Sequence, residues 1–247
     1  MRRFALLITL LLLLPFAAFA TPKIEKDSFT SRDKKRAFYL FVPETIKPAE
    51  ALPLLVLLHG SGHNGLSLVE RWKDLASKEG IVLAGPDSLD PSRWTTDNDG
   101  PNVIHDLVET VKTRCRIDPR RIYLFGHSGG AVYAINLSLM ESEYFTAAAV
   151  HAGGFRDRKE FEMINRATRK IPLAIWVGTV DQYFSLKSVR ETRDALLGRG
   201  FSVELTEISG HDHNYYARTS EINESVWAFL KEQMLAGSPR YEQYNFK

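Results

Sequence analysis

Residues 122–130 read Ile-Tyr-Leu-Phe-Gly-His-Ser-Gly-Gly, and this stretch decides the fold. Its first four residues form a short apolar run rich in aromatic and β-branched side chains, which is typical of a buried strand. A helical pattern of small residues begins at Ala131. The stretch therefore predicts a strand, a sharp turn and a helix. Ser128 stands at the apex, where the tight turn leaves its neighbours little room beyond glycine.

Short apolar runs alternate with helical patterns along the rest of the chain, which is typical of an α/β protein with a mostly parallel central sheet and helices on both faces. We predict strands at residues 37–42, 54–58, 81–84, 122–125, 147–150, 173–177 and 203–208. We predict helices at 66–78, 103–114, 131–140, 159–170, 186–198 and 219–234. The short span between the strands at 147–150 and 173–177 leaves no room for a large lid domain.

A serine nucleophile needs a base to take its proton and an acid to orient that base. Asp181 follows the strand at 173–177 in the sequence Gly-Thr-Val-Asp, and two histidines follow the strand at 203–208. Side chains that follow parallel strands converge on one sheet edge, so Ser128, Asp181 and a histidine are predicted to meet there. The alternative for Asp181 is a turn residue that caps the helix near Leu186.

Residues 209–213 read Ser-Gly-His-Asp-His and offer two candidates for the base. We predict His211, because it directly follows the glycine at the strand end and a base placed there can reach back to the serine. His213 would then contact substrate or backbone.

Residues 57–62 read Leu-Leu-His-Gly-Ser-Gly and predict a strand that ends in a glycine-containing loop. Such a loop can aim a backbone N–H group at an oxyanion, together with the amide that follows the nucleophile. We assign these donors to Ser61 and Gly129. A plain strand-to-helix turn is the alternative. His59 is a candidate for substrate contact or for a hydrogen bond that shapes the loop.

Three other side chains are candidate substrate contacts. Trp94 follows the strand at 81–84 and either lines the cleft or anchors a loop. His127 precedes the nucleophile, and Tyr183 lies beside Asp181.

Metal catalysis is an alternative because six of the seven histidines follow predicted strands. His211 and His213 could form a pair of ligands, but no H-E-x-x-H motif or carboxylate-rich ligand set accompanies them. We therefore expect no metal. Cys115 has no second cysteine to pair with, and it stands where a helix is predicted to end.

Residues 1–20 have a basic start, an apolar centre and an Ala-Phe-Ala ending, which predicts a cleaved secretory signal. The apolar run is about 16 residues long, whereas a spanning helix needs about 20. We expect a secreted or periplasmic protein without a stable membrane anchor, with residues 21–247 as one domain. The chain has 32 Lys and Arg against 30 Asp and Glu, and cleavage would remove Arg2 and Arg3, leaving equal numbers. No nucleic-acid partner is expected from this balance.

The motifs at residues 58–62, 126–130, 178–181 and 210–211 occur in the order found in α/β hydrolases and span nearly all of residues 21–247. Residues 118–123 (Asp-Pro-Arg-Arg-Ile-Tyr) and 210–216 (Gly-His-Asp-His-Asn-Tyr-Tyr) resemble the secreted polyhydroxybutyrate depolymerase, feruloyl esterase and dienelactone-hydrolase-like group.

The resemblance implies a serine carboxylic-ester hydrolase with no cofactor, acting on small-molecule or carbohydrate- or polymer-linked esters as a monomer or small homo-oligomer. The alternatives are an acyltransferase or serine peptidase with the same triad, and a non-catalytic secreted binding protein on this scaffold.

Overall fold

The computed structural model describes residues 23–44 and 51–242, so the predicted signal at 1–20 lies outside the described residues. Eight strands form one sheet in the order β1-β2-β4-β3-β5-β6-β7-β8. Strands β1 and β2 are antiparallel to each other, and β2 is antiparallel to β4; every other pairing is parallel. The strands are β1 Glu25–Ser31, β2 Lys34–Phe41, β3 Leu52–Leu58, β4 Val82–Pro86, β5 Ile117–His127, β6 Ala147–His151, β7 Leu173–Gly178 and β8 Val203–Ile208.

Helices cover both faces of the sheet. They are α1 Gly65–Glu79, α2 Thr96–Asp99, α3 Pro101–Arg114, α4 Gly129–Met140, α5 Arg158–Glu162, α6 Leu186–Leu197 and α7 Thr219–Leu230, with 3-10 helices at Met163–Arg166 and Tyr215–Ala217. Helices α1 and α7 share one apolar core with the sheet, and α3, α4 and α6 share the other. The predicted α/β architecture is confirmed.

Strand β5 illustrates why both faces are covered. Ile122 and Leu124 lie in one core, while Tyr123 and Phe125 lie in the other, as the two-residue period of a strand requires. All four are fully buried, so the run is apolar throughout rather than alternating.

One local prediction was wrong, and one strand was not predicted. The helix predicted at 159–170 is broken, because α5 ends at Glu162 and a single 3-10 turn follows. Strand β1 was not predicted, since its sequence Glu-Lys-Asp-Ser-Phe-Thr-Ser is mostly polar and only Phe29 and Ser31 are buried.

The connection from β6 to β7 carries only α5 and the 3-10 turn, so no large lid domain is inserted there. Within residues 23–44 and 51–242, none of the helices has the length and apolar character that a membrane crossing requires.

Candidate active site

The turn between β5 and α4 holds Ser128 in a strained conformation, with φ 54° and ψ −118°. A non-glycine residue at such a φ is rare and persists only where the surrounding structure enforces it. Here the neighbours do so: a Cβ on Gly126 would lie 2.2 Å from the Gly130 oxygen, and one on Gly130 would lie 2.0 Å from the Leu58 oxygen. The glycines allow the close packing that the sequence predicts for this turn.

His213 connects Ser128 to Asp181. Its Nε2 lies 2.9 Å from Ser128 Oγ, and its Nδ1 lies 2.9 Å from Asp181 Oδ2. With Nδ1–H donating to the carboxylate, Nε2 is left to accept the serine proton. The structure thus brings a serine hydroxyl, an imidazole and a carboxylate into one hydrogen-bonded line.

Asp181 is held by the turn after β7. Its Oδ1 accepts the amides of Tyr183 at 2.8 Å and Phe184 at 2.9 Å, and its side chain is fully buried. Burial raises the pKa of this carboxyl group, but the hydrogen bonds from His213 and the two amides outweigh it and leave the pKa below its ordinary value. Asp181 is therefore ionised at neutral pH. The helix near Leu186 is capped instead by Ser185.

The structure places His211, the histidine predicted to be the base, away from Ser128. The His211 side chain is 4 % exposed, and its Nε2 lies 3.1 Å from His151 Nε2 rather than near Ser128. Its backbone is pressed against the end of β7, where Val180 N–H donates to the His211 oxygen at 3.1 Å. The chain must advance two more residues before a side chain reaches Ser128. The histidine of this loop that lies within hydrogen-bond distance of Ser128 is therefore His213.

Ser61 and Gly129, the predicted oxyanion donors, are neighbours. A Cβ on Gly129 would lie 2.7 Å from Ser61 Oγ and 3.6 Å from Ser61 N. Gly129 is the first residue of α4, and an amide in the first turn of a helix has no acceptor within that helix. These two residues border the same cleft beside Ser128.

His59 and His127 are both buried, and neither lines the cleft beside Ser61 and Gly129. His59 is 1 % exposed, with Nδ1 2.9 Å from the Gly60 oxygen and Nε2 3.2 Å from Ser88 N. It shapes the loop, which was the alternative predicted for it. His127 is 5 % exposed, and its Nδ1 lies 3.1 Å from His151 Nδ1.

Trp94 and Tyr183 lie closer to open space. Trp94 both anchors a loop, since its Nε1 donates to the His59 oxygen at 2.8 Å, and lines the cleft beside Tyr133, against which its ring stacks at 5.2 Å. Tyr183 is 72 % exposed, with its ring centroid 4.7 Å from that of His213.

The cleft next to Ser61 and Gly129 encloses about 250 Å³. Besides aromatic side chains it presents amide and guanidinium groups. Its remaining walls are formed by Arg93, Thr95, Thr96, Val132, Asn136 and Arg156.

In the described ranges, no set of three or more His, Cys, Asp or Glu side chains is arranged to hold a metal ion. Cys115 ends α3, and burial raises the pKa of its thiol to about 11, which disfavours the reactive thiolate.

Comparison with known proteins gives the family and the fold of the chain. Residues 86–234 match the model of the dienelactone hydrolase family. An uncharacterized hydrolase of Acanthamoeba polyphaga mimivirus is 28 % identical over 221 residues, which cover 72 % of this chain and 69 % of that protein.

Among solved structures, a thermostable esterase is 24 % identical with a TM-score of 0.70; the match covers 86 % of this chain but only 63 % of that esterase. Fluorophosphonate-binding serine hydrolase F of Staphylococcus aureus is 14 % identical with a TM-score of 0.74, over 85 % of this chain and 99 % of that one. A ferulic acid esterase is 18 % identical with a TM-score of 0.66, over 86 % of this chain and 98 % of that one. These likenesses establish the fold. With the family match, they identify the chain as a hydrolase of the dienelactone hydrolase family.

Proposed function

We propose that the chain hydrolyses carboxylic esters through an acyl-enzyme on Ser128, with His213 as general base and acid and Asp181 as the group that orients it. The observation that carries the proposal is the position of His213, whose two ring nitrogens each lie 2.9 Å from the partner that the chemistry requires.

The first half-reaction forms the acyl-enzyme. His213 Nε2 takes the proton of Ser128 as Oγ attacks the ester carbonyl carbon, and the carbonyl π electrons move to oxygen. The amides of Ser61 and Gly129 stabilise that oxyanion. Collapse of the tetrahedral intermediate breaks the bond to the alcohol oxygen, which leaves with the proton from His213 Nε2.

The second half-reaction releases the acid. His213 takes a proton from water, the resulting hydroxide attacks the acyl carbon, and Ser128 leaves with the proton restored to its Oγ. Asp181 stays ionised throughout and stabilises the imidazolium that forms at each step. The low pKa of Asp181 suits this role.

The size and lining of the cleft favour a small, soluble ester. About 250 Å³ beside the oxyanion donors accommodates a compact group, and the arginine and amide groups suit a polar one. Among residues 23–44 and 51–242 no large lid covers the site, which fits an ester presented from solution.

The chemical test uses a fluorophosphonate probe and p-nitrophenyl acetate. We expect the probe to label Ser128, and Ser128→Ala to abolish labelling and lower kcat/KM by about a thousandfold or more. Labelling or turnover that persists in Ser128→Ala would overturn the proposal. Product analysis with added alcohols tests acyl transfer, which would appear as a new ester in place of the free acid.

The two histidines of the loop provide a matched comparison. His213→Ala should lose activity to the same extent as Ser128→Ala, because it removes the only base within reach of Ser128 in the described part of the chain. His211→Ala should keep activity well above that level. The reverse ranking would restore His211 as the base.

We further propose that the protein acts outside the cytoplasm, on the basis of the signal pattern at residues 1–20. Expression of the full chain in a bacterium, followed by mass spectrometry of the periplasmic and culture fractions, should recover a product that begins at Thr21. Recovery of only uncleaved chain in the cytoplasm would contradict export.

A further inference from the structure

Three imidazoles form a hydrogen-bonded chain beneath the site. His127 ends β5, His151 ends the neighbouring strand β6, and His211 follows β8. The Nδ1 atoms of His127 and His151 lie 3.1 Å apart, and so do the Nε2 atoms of His151 and His211. All three side chains are at least nine-tenths buried.

These contacts couple the tautomers of the three rings. A hydrogen bond between two imidazole nitrogens needs a proton on one nitrogen and a lone pair on the other. The two contacts allow two orders of protons. In one order His127 and His211 carry their protons on Nδ1 and His151 carries its proton on Nε2; in the other order the positions are reversed. In both, His127 and His211 share one tautomer and His151 has the other.

The surroundings keep the three imidazoles uncharged. Burial, aided by the neighbouring histidines, lowers the pKa of His127 to about 3 and that of His151 to about 2. Burial also lowers the pKa of His211. A neutral set of three rings supplies one proton to each of its two contacts.

The three imidazole residues contact two parts of the proposed catalytic site, the ring of His213 and the backbone of Ser128. The His127 ring packs against that of His213, with centroids 5.1 Å apart, and stacks on Tyr215 at 5.3 Å. The His151 carbonyl oxygen accepts the Ser128 amide at 3.0 Å. Displacement of either ring would therefore move the base or the nucleophile.

We propose that His127, His151 and His211 are positioning residues: an uncharged, proton-ordered imidazole chain that holds the His213 ring and the Ser128 backbone in the geometry for attack. The inference rests on the proposed function, and the order of its protons is independent of the substrate.

The kinetic test compares two substitutions of His211, the member of the chain farthest from His127. His211→Phe keeps a ring but removes the hydrogen-bond partner of His151 Nε2, whereas His211→Gln supplies an amide group there. We expect His211→Phe to lower kcat by about tenfold to a hundredfold with little change in KM, since small displacements of reacting groups cost that much. His211→Gln should recover most of the lost kcat.

The order of the protons has its own test, in case His211→Phe does not fold. Two-bond ¹H–¹⁵N correlation spectra of ¹⁵N-histidine-labelled wild-type protein at pH 7 should show one tautomer shared by His127 and His211 and the other tautomer at His151. Spectra of His127→Gln and His151→Gln assign the signals.

The same tautomer at His151 as at either neighbour, a doubly protonated His151, or wild-type kcat in His211→Phe would overturn the positioning proposal. Because Ser128→Ala and His213→Ala remain inactive in that case, its failure is distinguishable from failure of the esterase mechanism. A His211→Gln variant as inactive as His213→Ala would also contradict it.

Discussion

Single side chains at this site differ in how they respond to acid. Asp181 is stabilised as an anion, while His127 and His151 are stabilised as neutral bases. In the unfolded chain a histidine takes up a proton near pH 6.5, but folded His127 does so only near pH 3. Between these values the unfolded state binds more protons, so the free energy of unfolding falls as the pH is lowered.

We therefore expect stability to decrease from about pH 6 to about pH 4, with up to about 1.4 kcal/mol per pH unit from each buried imidazole. His127→Gln removes one of these contributions and should flatten the slope. Urea unfolding across this pH range measures the slope. Ser128→Ala serves as the control because it keeps both imidazoles, and an equal slope in His127→Gln and wild type would contradict the prediction.

The strand–turn–helix element around Ser128 depends on backbone contact rather than on side-chain packing. Gly130, in the first turn of α4, lies so close to β3 that a Cβ would stand 2.0 Å from the Leu58 oxygen and 2.6 Å from the His59 oxygen. Backbone atoms cannot yield as the end of a flexible side chain can. A methyl group here must separate α4 from the loop that carries Ser61.

Gly130→Ala should accordingly lower the free energy of unfolding by about 1–3 kcal/mol or more, as overpacking does, and should also reduce labelling of Ser128. Gly237→Ala is the control, because a Cβ there has no neighbour within 4 Å. Its effect should stay within about 0.5 kcal/mol. Equal unfolding midpoints for the two variants would show that β3 and α4 can separate freely.

The structure also explains why one predicted helix ends early and why one strand was not predicted. The helix predicted at 159–170 stops early, and the amides of Thr168 and Arg169 donate instead to Ser142 Oγ, both at 3.1 Å. Strand β1 exists because Arg32 and Asp33, with φ of 50° and 58°, make the tight turn that pairs it with β2. Neither feature produces a periodic pattern of apolar residues that could be recognised in the sequence.

At the scale of the whole molecule, a buried ion pair links β2, in the antiparallel part of the sheet, to the wall of the cleft. Arg36 on β2 donates to Asp99 at the end of α2 at 2.8 Å, and both side chains are nearly inaccessible. The same carboxylate accepts the amides of Leu89 and Thr95, and the Asp99 carbonyl accepts the Tyr133 hydroxyl. Tyr133 in turn stacks on Trp94, so one carboxylate supports much of the cleft wall.

Removal of this carboxylate should be costly. Asp99→Ala leaves the Arg36 charge buried without its partner, and we expect a loss of about 3–5 kcal/mol in the free energy of unfolding. The double variant Arg36→Met/Asp99→Leu should recover part of the loss, because it removes both charges. Guanidinium unfolding of the three proteins measures this, and a loss below about 1 kcal/mol in Asp99→Ala would contradict burial of the pair.

Local sequence determined the features that depend on neighbouring residues alone. Apolar runs placed seven of the eight strands, and the Gly-x-Ser-x-Gly stretch placed Ser128 in a strained turn between a strand and a helix. Asp181 was located because the loops after parallel strands all lie at one edge of the sheet.

Only the tertiary structure decided which histidine reaches Ser128. Residues 210–213 present two imidazoles two positions apart, and the local pattern does not distinguish them. The difference arises from Gly210, with φ 66°, and from the contact of the His211 backbone with the end of β7. These two features direct the His211 side chain toward His151 and leave the His213 side chain facing Ser128. Side-chain direction after a turn depends on the atoms against which the backbone packs, and those atoms lie on another strand.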